Sequence, residues 1–426
     1  MKRVVILCVW LFSVVAGHAQ LSLDECRRLA RENYPEIRQY DLVHQTEQYN
    51  LSNAARAWIP QLAFSAQATW QTDAPNFPKE LTGMLAQQGL EIPGLRKDQY
   101  KVALELNQTI WDGGKSVADK RIARAEAAEQ KTMTDVDLYE LEGRVDDLYF
   151  GILLLDERIA QTNLTLNLLR SNLEKVRALQ RNGVAMQSDA DVLEAELLSV
   201  GQQLIQFESS CDSYRRMLGI FIGQKEGDRK LQRPSAVQPL SGESARPELA
   251  MFAAKIDRLT AQEKMVKSSS MPRLGFFAQG YYGYPGLDYM QGMMNSDWSW
   301  NAMLGVKLSW NFGAYYTQKN NLDKLRTSRQ QVEVQRDVFL FNMNLQAAQE
   351  NGDIARLRKA IADDDRIVAL RRSVREAAES KLRNGIIDTH DLLSKITDES
   401  TASMARSMRE IELLKAIYEY KHTINR

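Results

Sequence analysis

Apolar residues recur at alternating intervals of three and four positions along much of the first half of the chain. No proline interrupts the stretch between Gly114 and Arg181. Its apolar series comprises Leu138, Leu141, Val145, Leu148, Ile152, Leu155, Ile159, Leu166, Leu169, Leu173 and Val176. This spacing is the heptad of helices that supercoil around partner helices. It predicts a single helix of about 67 residues, roughly 100 Å long at a rise of 1.5 Å per residue.

A second helix is expected to return along each long one. In the first half its apolar residues are Leu193, Leu197, Val200, Leu204, Phe207, Cys211, Tyr214 and Leu218. The second half repeats the pattern less regularly, first at Ile354, Leu357, Ile361, Ile367, Leu370, Val374 and Ala377, then at Met404, Met408, Ile411, Leu414 and Tyr418. We expect two helical hairpins, over about 115–220 and about 314–422, with these residues buried between helices. Shorter helices are expected near 22–32, 36–58 and 247–270.

Four shorter stretches alternate apolar and polar residues, which is the period of a β-strand. They predict strands at about 62–71, 101–111, 273–284 and 300–310. Even-numbered residues such as Leu104 and Leu304 are expected on the apolar face, and Thr69 on the polar face. Strands of about ten residues with tryptophan at their ends are typical of a membrane barrel with a polar lumen. A half-buried strand of a soluble sheet has the same pattern, so the strands alone leave both possibilities open.

The two halves of the chain show the same order of elements. One motif occurs in both halves, as Ile59-Pro60-Gln61-Leu62 and as Met271-Pro272-Arg273-Leu274. The spacing between turn glycines is also similar, with 70 positions from Gly113 to Gly183 and 72 from Gly313 to Gly385. A shared period with matched motifs indicates a duplicated structural unit. The predicted organisation is repeat 1 over 20–221, a polar linker over 222–246 and repeat 2 over 247–426.

The start of the chain forms a separate segment. Lys2-Arg3 is followed by an apolar run over 4–16, and Gly17-His18-Ala19 places small residues at a cleavage site. This is the pattern of a secretory signal peptide, 1–19, cut before Gln20. Beyond it no stretch of about 18 apolar residues occurs, so no transmembrane helix is expected. We therefore expect an exported protein without a helical anchor.

Four strands are too few for a closed membrane barrel, since the smallest have about eight. An open sheet edge is not tolerated in lipid, because its backbone groups would have no hydrogen-bond partners. If the strands lie in a membrane, several copies of the chain must therefore contribute to one barrel. The segments 72–99 and 285–299 then form the outer loops, and the helices lie in the periplasm.

The sequence offers little catalytic or metal-binding chemistry. A formal net charge of zero with 26% charged residues gives no reason to expect nucleic acid as a partner. None of the three histidines, His44, His390 and His422, has a metal-ligand neighbour of the right type at i+3 or i+4, and no phosphate loop or nucleophile elbow occurs. We expect no enzymatic activity, no metal and no cofactor. Cys26 and Cys211 could form one disulfide, but the apolar seam around Cys211 favours buried free cysteines.

Short motifs in both halves are shared with a known family of proteins. The motifs are Leu21-Ser22-Leu23-Asp24-Glu25-Cys26-Arg27-Arg28-Leu29-Ala30 with Asn33-Tyr34-Pro35-Glu36, the two Pro-containing motifs that begin the strand pairs, Ile110-Trp111-Asp112-Gly113-Gly114, Arg181-Asn182-Gly183-Val184-Ala185 and Arg383-Asn384-Gly385-Ile386-Ile387. With these motifs, in this order, the mature chain resembles the TolC family of outer-membrane efflux ducts. The turn Trp310-Asn311-Phe312-Gly313-Ala314 is shorter than the turn of the family, so the register near it is left open.

The resemblance implies a mainly helical chain with a β membrane part. The expected assembly is a homotrimer with a twelve-stranded outer-membrane β-barrel, four strands per chain, continued by a long periplasmic α-helical tube. The expected function is that of a passive exit duct of a tripartite efflux or type I secretion system. The expected partners are outer-membrane lipid, a periplasmic adaptor (membrane fusion) protein and an inner-membrane pump, which the helical tips reach through the adaptor.

The tips of the two hairpins contain the candidate functional residues. The candidate adaptor-docking residues are Arg181, Asn182, Gly183, Arg383, Asn384 and Gly385. Four acids lie nearby, namely Asp189, Asp191, Asp388 and Asp391. In a trimer each acid forms a ring of three, which is unfavourable at a narrow opening unless cations offset the charge. The resemblance places a cation-sensitive periplasmic gate at Asp388 and Asp391, and the alternative is that these acids cap the returning helices.

Two other functions fit part of the pattern. A periplasmic coiled-coil scaffold with no channel activity would place the strands in a small soluble sheet. An adaptor protein would share the long hairpins but would lack two membrane-like strand pairs. Fractionation with detergent separates the first alternative from a duct, because a scaffold would appear in the soluble periplasmic fraction.

Overall fold

The computed structural model describes residues 20–183, 185–224, 230–235, 244–384 and 386–425. The predicted signal peptide, Gly385 and parts of the predicted linker therefore lie outside the described residues. The chain divides into two compact units. The helical unit comprises Met1–Gln39, Thr132–Ala250 and Arg336–Arg426, and the sheet unit comprises Tyr40–Lys131 and Met251–Gln335.

Helices make up most of the described chain, and four strands form one sheet. The helices are α1 Leu23–Asn33, α2 Gln39–Arg56, α3 Lys79–Gln87, α4 Lys115–Arg181, α5 Gln187–Ile222, α6 Pro247–Ser269, α7 Tyr289–Met294, α8 Ala314–Arg383 and α9 Thr389–Ile424. The strands are β1 Gln61–Trp70, β2 Asp98–Trp111, β3 Arg273–Tyr284 and β4 Ser299–Ser309. The predicted fold class, mainly helical with four antiparallel strands per chain, is confirmed. The short helices α3 and α7 lie within the segments that were expected to be loops.

The sheet has the order β1-β2-β3-β4, and each neighbouring pair is antiparallel. Phe64 lies opposite Leu104, and Ala278 lies opposite Leu304. Because side chains alternate along a strand, this register places the even-numbered residues of all four strands on one face, as the sequence predicts. The exception is the end of β2, where a register shift after Thr109 places Trp111 opposite Leu274. β2 and β3 come from different halves of the chain, so the two halves meet at the centre of the sheet. Within the described residues, β1 and β4 are edge strands whose outer edges have no strand partner.

Similar turns lead from strand to long helix in the two halves. The Asp112 carboxylate accepts a hydrogen bond from the backbone N–H of Gly114 (2.9 Å), and the Asn311 side-chain oxygen accepts one from the N–H of Gly313 (3.0 Å). Gly113 has a φ of +70°, a conformation that side-chain-bearing residues rarely adopt. The shorter second turn thus has the same side-chain hydrogen bond as the first. The register that the sequence left open is given by the strand pairing, in which Ser309 at the end of β4 lies opposite Arg273.

The helical unit is held together by the apolar seams of its long helices. The predicted seam of α4 is buried at Leu138, Leu141, Val145 and Ile152. Near the hairpin ends, four helices share one apolar cluster formed by Leu166, Leu169, Leu173, Val176, Ala190, Leu193, Val200, Ala378, Leu392 and Ile396. The two hairpins therefore end around a common core.

In the last part of α8, the residues that the sequence predicts to be buried are exposed, so this part of the prediction is wrong. Ile367, Leu370 and Val374 are 44%, 59% and 47% exposed, and Ala377 is exposed as well. The inward positions instead continue the seven-residue pattern that begins at Ile354. That series is Ile354, Leu357, Ile361, Asp364, Val368, Arg371, Arg375 and Ala378. The sequence was misleading because an apolar series lies one position away from the inward series, on a neighbouring face of the helix.

Ion pairs with α9 replace apolar contacts at three of these inward positions. Arg371 Nη1 donates to Asp398 Oδ2 (2.7 Å), Arg375 Nε donates to Glu399, and Asp364 accepts from Arg409 Nη1. We call these six residues the ionic seam. The Asp364 and Arg375 side chains are only 6% and 13% exposed, so these charges require their partners, whereas the pair of Arg371 with Asp398 is 48% and 37% exposed.

A buried ion pair joins α1 to α4. Arg27 Nε donates to Asp146 Oδ1 (2.7 Å), and Nη2 of Arg27 donates to Oδ2 of Asp146. The two side chains are only 16% and 9% exposed. The Arg27 guanidinium also lies 6.0 Å from the ring centroid of Tyr418 in α9. Burial raises the pKa of Asp146 from its ordinary value, although the hydrogen bond from Arg27 opposes this effect.

The two cysteines of the described chain, Cys26 and Cys211, are buried and free. Of the two alternatives that the sequence left, free thiols are therefore confirmed. Burial raises the pKa of Cys26 to about 12, so this thiol stays protonated near neutral pH and is a poor nucleophile.

Candidate functional site

One face of the sheet is apolar and exposed. Phe64 is 72% exposed and Leu304 is 76% exposed, although both lie within strands. Exposed tryptophans lie at both ends of the sheet, with Trp70 and Trp300 at the loop end and Trp111 and Trp310 at the end from which the long helices start. An apolar sheet face with aromatic residues at both rims is typical of a surface in contact with lipid.

The opposite face of the sheet is polar and hydrogen-bonded. Gln279 links two charges there, because its Oε1 accepts from Lys101 Nζ (3.1 Å) and its Nε2 donates to Glu105. Lys101 Nζ also lies 4.6 Å from the ring centroid of Tyr281. Charged and amide side chains on one face and exposed apolar side chains on the other are the arrangement of a barrel wall with a wet interior.

The first hairpin tip reverses the chain between α4 and α5. Gly183 has a φ of +74°, the left-handed conformation expected for this position. At the start of α5, the Asp189 carboxylate accepts a hydrogen bond from the Met186 backbone N–H (2.8 Å). Asp191 Oδ1 accepts from Gln187 Nε2 (2.7 Å). Both candidate acids of this tip therefore form hydrogen bonds within the first turn of α5.

The second tip lies between α8 and α9. Asp388 is the N-cap of α9, and its Oδ1 accepts from the backbone N–H of Asp391 (2.8 Å). The Asn384 side chain donates to the Ser380 carbonyl (2.9 Å), which helps to end α8. Gly385 lies outside the described residues. The capping role weighed for these acids is thus present at Asp388, and both Asp388 and Asp391 are exposed.

The structure brings the two tips together at the base of a common apolar cluster. Ala185 and Ile387, one from each tip, pack against it. Arg181 and Arg383, which end α4 and α8, remain exposed. Among the described residues, no hydrogen bond or ion pair joins the acids of one tip to those of the other.

Sequence reasoning missed an ionic network close to the tips. Glu379 of α8 accepts from Arg375 and from Lys175 of α4 (3.3 Å), and Arg375 also pairs with Glu399 of α9. Burial raises the pKa of Glu379, but the hydrogen bonds from Arg375 and Lys175 outweigh burial, so this pKa lies below its ordinary value. The four-residue spacing of Arg375 and Glu379 is visible in the sequence, whereas the partners on α4 and α9 are not.

The described part of the chain contains no group of histidine, cysteine and carboxylate side chains arranged to hold a metal ion. His422 is instead stacked on Tyr139, with ring centroids 4.2 Å apart. Burial and the nearby Arg246 lower the pKa of His422 to about 4. No described helix has an apolar stretch long enough to cross a bilayer.

Comparisons with known proteins agree with this architecture. Residues 27–223 match the family model described as outer membrane efflux protein, or OEP. A comparison with curated proteins gave no match.

Several solved structures share the fold of this chain. The outer-membrane channel OprN is 14% identical with a TM-score of 0.69, over 94% of this chain and 89% of that chain. The outer membrane protein VceC of Vibrio cholerae is 14% identical with a TM-score of 0.66, over 94% and 95%. The outer membrane channel MtrE of Neisseria gonorrhoeae, solved in an open state, is 14% identical with a TM-score of 0.66, over 94% and 88%.

These findings favour a channel over the coiled-coil scaffold and over the adaptor. The OEP family is a channel family and is not enzymatic. Residues 27–223 are thus similar to the outer membrane efflux protein family, and over 94% of its length the chain has the fold of the outer-membrane channels OprN and MtrE.

Proposed function

We propose that the protein is a passive exit duct of a tripartite efflux or type I secretion system. The observation that supports this most directly is the two-faced sheet, which is apolar on the side of Phe64 and Leu304 and polar on the side of Lys101 and Glu105. The duct supplies the path across the outer membrane. An inner-membrane pump, reached through a periplasmic adaptor, supplies the driving force.

In a homotrimer, the free edges of the sheet in each chain would pair with those of the neighbouring chains. Each chain has two edges without a strand partner among its described residues, on β1 and on β4. Pairing β1 of one copy with β4 of the next gives a closed barrel of twelve strands and satisfies every backbone edge, which lipid requires. This contact is heterologous, so a ring results when the rotation closes.

Two apolar stripes on α8 support the same assembly. The first consists of Val334, Val338, Phe341 and Leu345, which are 53–69% exposed and spaced four, three and four positions apart. The second consists of Ile367, Leu370 and Val374, the residues that were expected in the seam of the chain itself. Heptad spacing on an uncovered helix face fits a partner helix. We assign that helix to a neighbouring copy of the chain.

We expect the protein extracted in mild detergent to be a trimer. Exposed sheet edges and exposed heptad stripes are both covered only in the assembly, so folding and assembly should be coupled. Light scattering with correction for bound detergent measures the mass, and circular dichroism should show mostly helix with a smaller strand signal. A well-folded monomer in detergent, or protein in the soluble periplasmic fraction, would contradict the proposal.

We propose that the helical tips dock on the adaptor. The candidate docking residues are Arg181, Asn182, Gly183, Arg383, Asn384 and Gly385. Support comes from the exposed arginines at the ends of α4 and α8 and from two exposed apolar side chains beside them. These are Met186, 74% exposed, and Ile386, 68% exposed. Paired cationic and apolar groups on two adjacent tips provide a surface suited to a partner protein.

We also propose that Asp388 and Asp391, with Asp189 and Asp191 in the other tip, line a cation-sensitive periplasmic gate. Helix capping and gating are compatible, because an N-cap carboxylate uses one oxygen for the backbone and keeps its charge. In a trimer, Asp388 and Asp391 would contribute six carboxylates at the narrow end. Divalent cations stabilise such a ring by offsetting the repulsion between its charges.

Asp388→Asn combined with Asp391→Asn should weaken block by divalent cations and raise single-channel conductance in planar bilayers. Asparagine at position 388 keeps the capping acceptor, because Asn and Asp are comparable N-cap residues. The variant therefore removes the charge while it keeps the helix start.

Asp388→Ala is the control for stability, since it removes the cap and should cost about 0.5–2 kcal/mol. If the double asparagine variant shows the conductance and the divalent block of the wild type, the acids only cap α9 and the gate lies elsewhere.

A further inference from the structure

A recess of about 390 Å³ lies on the sheet unit, at the end of the sheet from which α4 starts. We call it the basal recess. Its walls include Asn107 and Thr109 of β2, Arg273 and Phe277 of β3, and Lys307 of β4. These residues are odd-numbered, so they belong to the polar face of the sheet. The volume is within the range of sites for small organic molecules.

Two basic side chains of the basal recess have no acidic partner. Arg273 lies opposite Ser309 and Lys307 lies opposite Gly275, so Arg273 and Lys307 are diagonal neighbours across β3 and β4. Both are exposed, and neither forms an ion pair or a side-chain hydrogen bond with any other described residue. Like charges at this spacing repel each other. An anion placed between them would remove this repulsion.

The two acids that line the basal recess, Asp112 and Asp119, form hydrogen bonds with groups other than these two basic side chains. The Asp112 carboxylate accepts hydrogen bonds from the backbone N–H groups of Gly114 (2.9 Å) and Ser116 (2.7 Å) at the start of α4. Asp119 is paired with Lys115 (2.7 Å). Neither carboxylate forms an ion pair with Arg273 or Lys307, and the three cations and two acids that line the basal recess leave it with a net charge of +1.

The rest of the polar face does not neutralise these cations either. Within the four strands, the charged residues on this face are Lys101, Glu105, Arg273 and Lys307, which give a net charge of +2 per chain. Lys101 and Glu105 are joined through Gln279. The uncompensated positive charge of the face is thus concentrated in the basal recess.

The recess also has an apolar wall beside its cations. Phe277 of β3, an odd-numbered residue on the polar face, supplies it. A Cβ built on Gly305 would lie 2.9 Å from the Phe277 ring, so this ring packs closely on the backbone of β4. Cations next to an aromatic ring match a ligand that combines an anionic group with an apolar body.

We propose that the basal recess binds small organic anions that carry an apolar body, with Arg273 and Lys307 as the anion-binding residues. The placement of this site inside the duct, where it would contact exported cargo, rests on the proposed function. The binding itself is a property of the recess within a single chain.

Benzenesulfonate, a permanently charged aromatic anion, tests the proposal with the purified full-length protein in dodecyl maltoside. Its dissociation constant is measured by saturation-transfer NMR for the wild type and for the variant R273Q/K307Q. We expect at least about tenfold weaker binding by the variant, because the loss of one hydrogen bond between charged groups already corresponds to such a factor. Partition of the probe into micelles is common to both samples, so it cancels in the comparison.

Two controls define the site. Lys101→Gln removes one positive charge from the same face but outside the basal recess, and it should retain wild-type binding. Phenyltrimethylammonium has the same aromatic body with the opposite charge, and it should bind more weakly than benzenesulfonate.

Equal binding of the two probes by the wild type, or an equal loss in K101Q and R273Q/K307Q, would overturn the proposal. The oligomeric state and the conductance of the same preparation are measured separately. A monomer or a non-conducting protein contradicts the proposed function, whereas a conducting trimer that does not bind benzenesulfonate contradicts only the anion site.

Discussion

Leu304→Arg should largely prevent assembly of the protein in the outer membrane. Leu304 is 76% exposed on the apolar face of the edge strand β4, where the proposed barrel contacts lipid. An arginine near the bilayer midplane of an outer-membrane barrel costs about 2–4 kcal/mol per chain. Leu104→Arg, on the same face of β2, should have a similar effect. The amount of folded trimer in the membrane fraction, measured on semi-native gels, reports the loss.

Two variants on the polar face are the matched controls. Met303 is the neighbour of Leu304 on β4 and points to the opposite face, because it lies opposite Gln279. Met303→Arg should therefore be tolerated far better than Leu304→Arg. Thr69→Arg, on the polar face of β1, should be tolerated as well. Equal damage from substitutions on both faces would show that the faces are assigned wrongly.

Arg27→Met should destabilise the helical unit by about 3–5 kcal/mol at neutral pH. The substitution keeps most of the side-chain volume but leaves the Asp146 carboxylate, which is 9% exposed, without its cation. An unpaired buried charge costs more than a lost surface contact. The midpoint of thermal unfolding in detergent, followed by the helical circular dichroism signal, measures the effect.

The effect of Arg27→Met should shrink as the pH falls. Burial already raises the pKa of Asp146, and removal of Arg27 should raise it further. A carboxyl group whose pKa is higher in the folded than in the unfolded state stabilises the fold at low pH, and this contribution is lost as the pH rises through the folded-state pKa. The variant should therefore approach the wild type towards acidic pH, and a difference independent of pH would contradict this account.

Arg28→Met provides the control for the buried pair. Arg28 is the next residue of α1, and its ion pairs with Glu25 and Glu32 lie at the exposed surface. Surface ion pairs contribute little to stability. A loss in Arg28→Met as large as that in Arg27→Met would show that charge at the start of α1, and not burial of the pair, is responsible.

The fold was predictable from the sequence where an element has a single apolar face. In β1, alternation is strict because one face is apolar and the other polar, and the register of the sheet follows the predicted faces. In α4, Leu138, Leu141 and Val145 are all buried as the heptad predicts. α8 has two such faces. One face contacts α9, partly through ion pairs, and another carries the exposed apolar stripes. An apolar pattern alone does not say which face lies inside the chain.

The candidate tip residues were predictable only in part. The left-handed Gly183 follows from the need for a tight reversal, and the hydrogen bonds of Asp189 and Asp388 follow from the unpaired backbone groups at a helix start. The ion pair between Lys175 and Glu379 could not be read, because it joins positions more than 200 residues apart. The basal recess was missed for the same reason, since its walls come from β1, β2, β3, β4 and the start of α4.

At the ionic seam, the contact between α8 and α9 depends less sharply on the exact position of the two helices than apolar packing does. Interdigitated leucines lose contact energy when one helix slides along another, because dispersion attraction falls off within a fraction of an ångström to an ångström. Long arginine side chains can follow such a shift and exchange partners, and Arg375 already contacts Glu379 as well as Glu399, which Arg372 also reaches (3.2 Å). Added salt should therefore weaken the contact of α9 with α8 at the ionic seam by screening its charges, and it should affect far less the apolar clusters that join the two helices on either side.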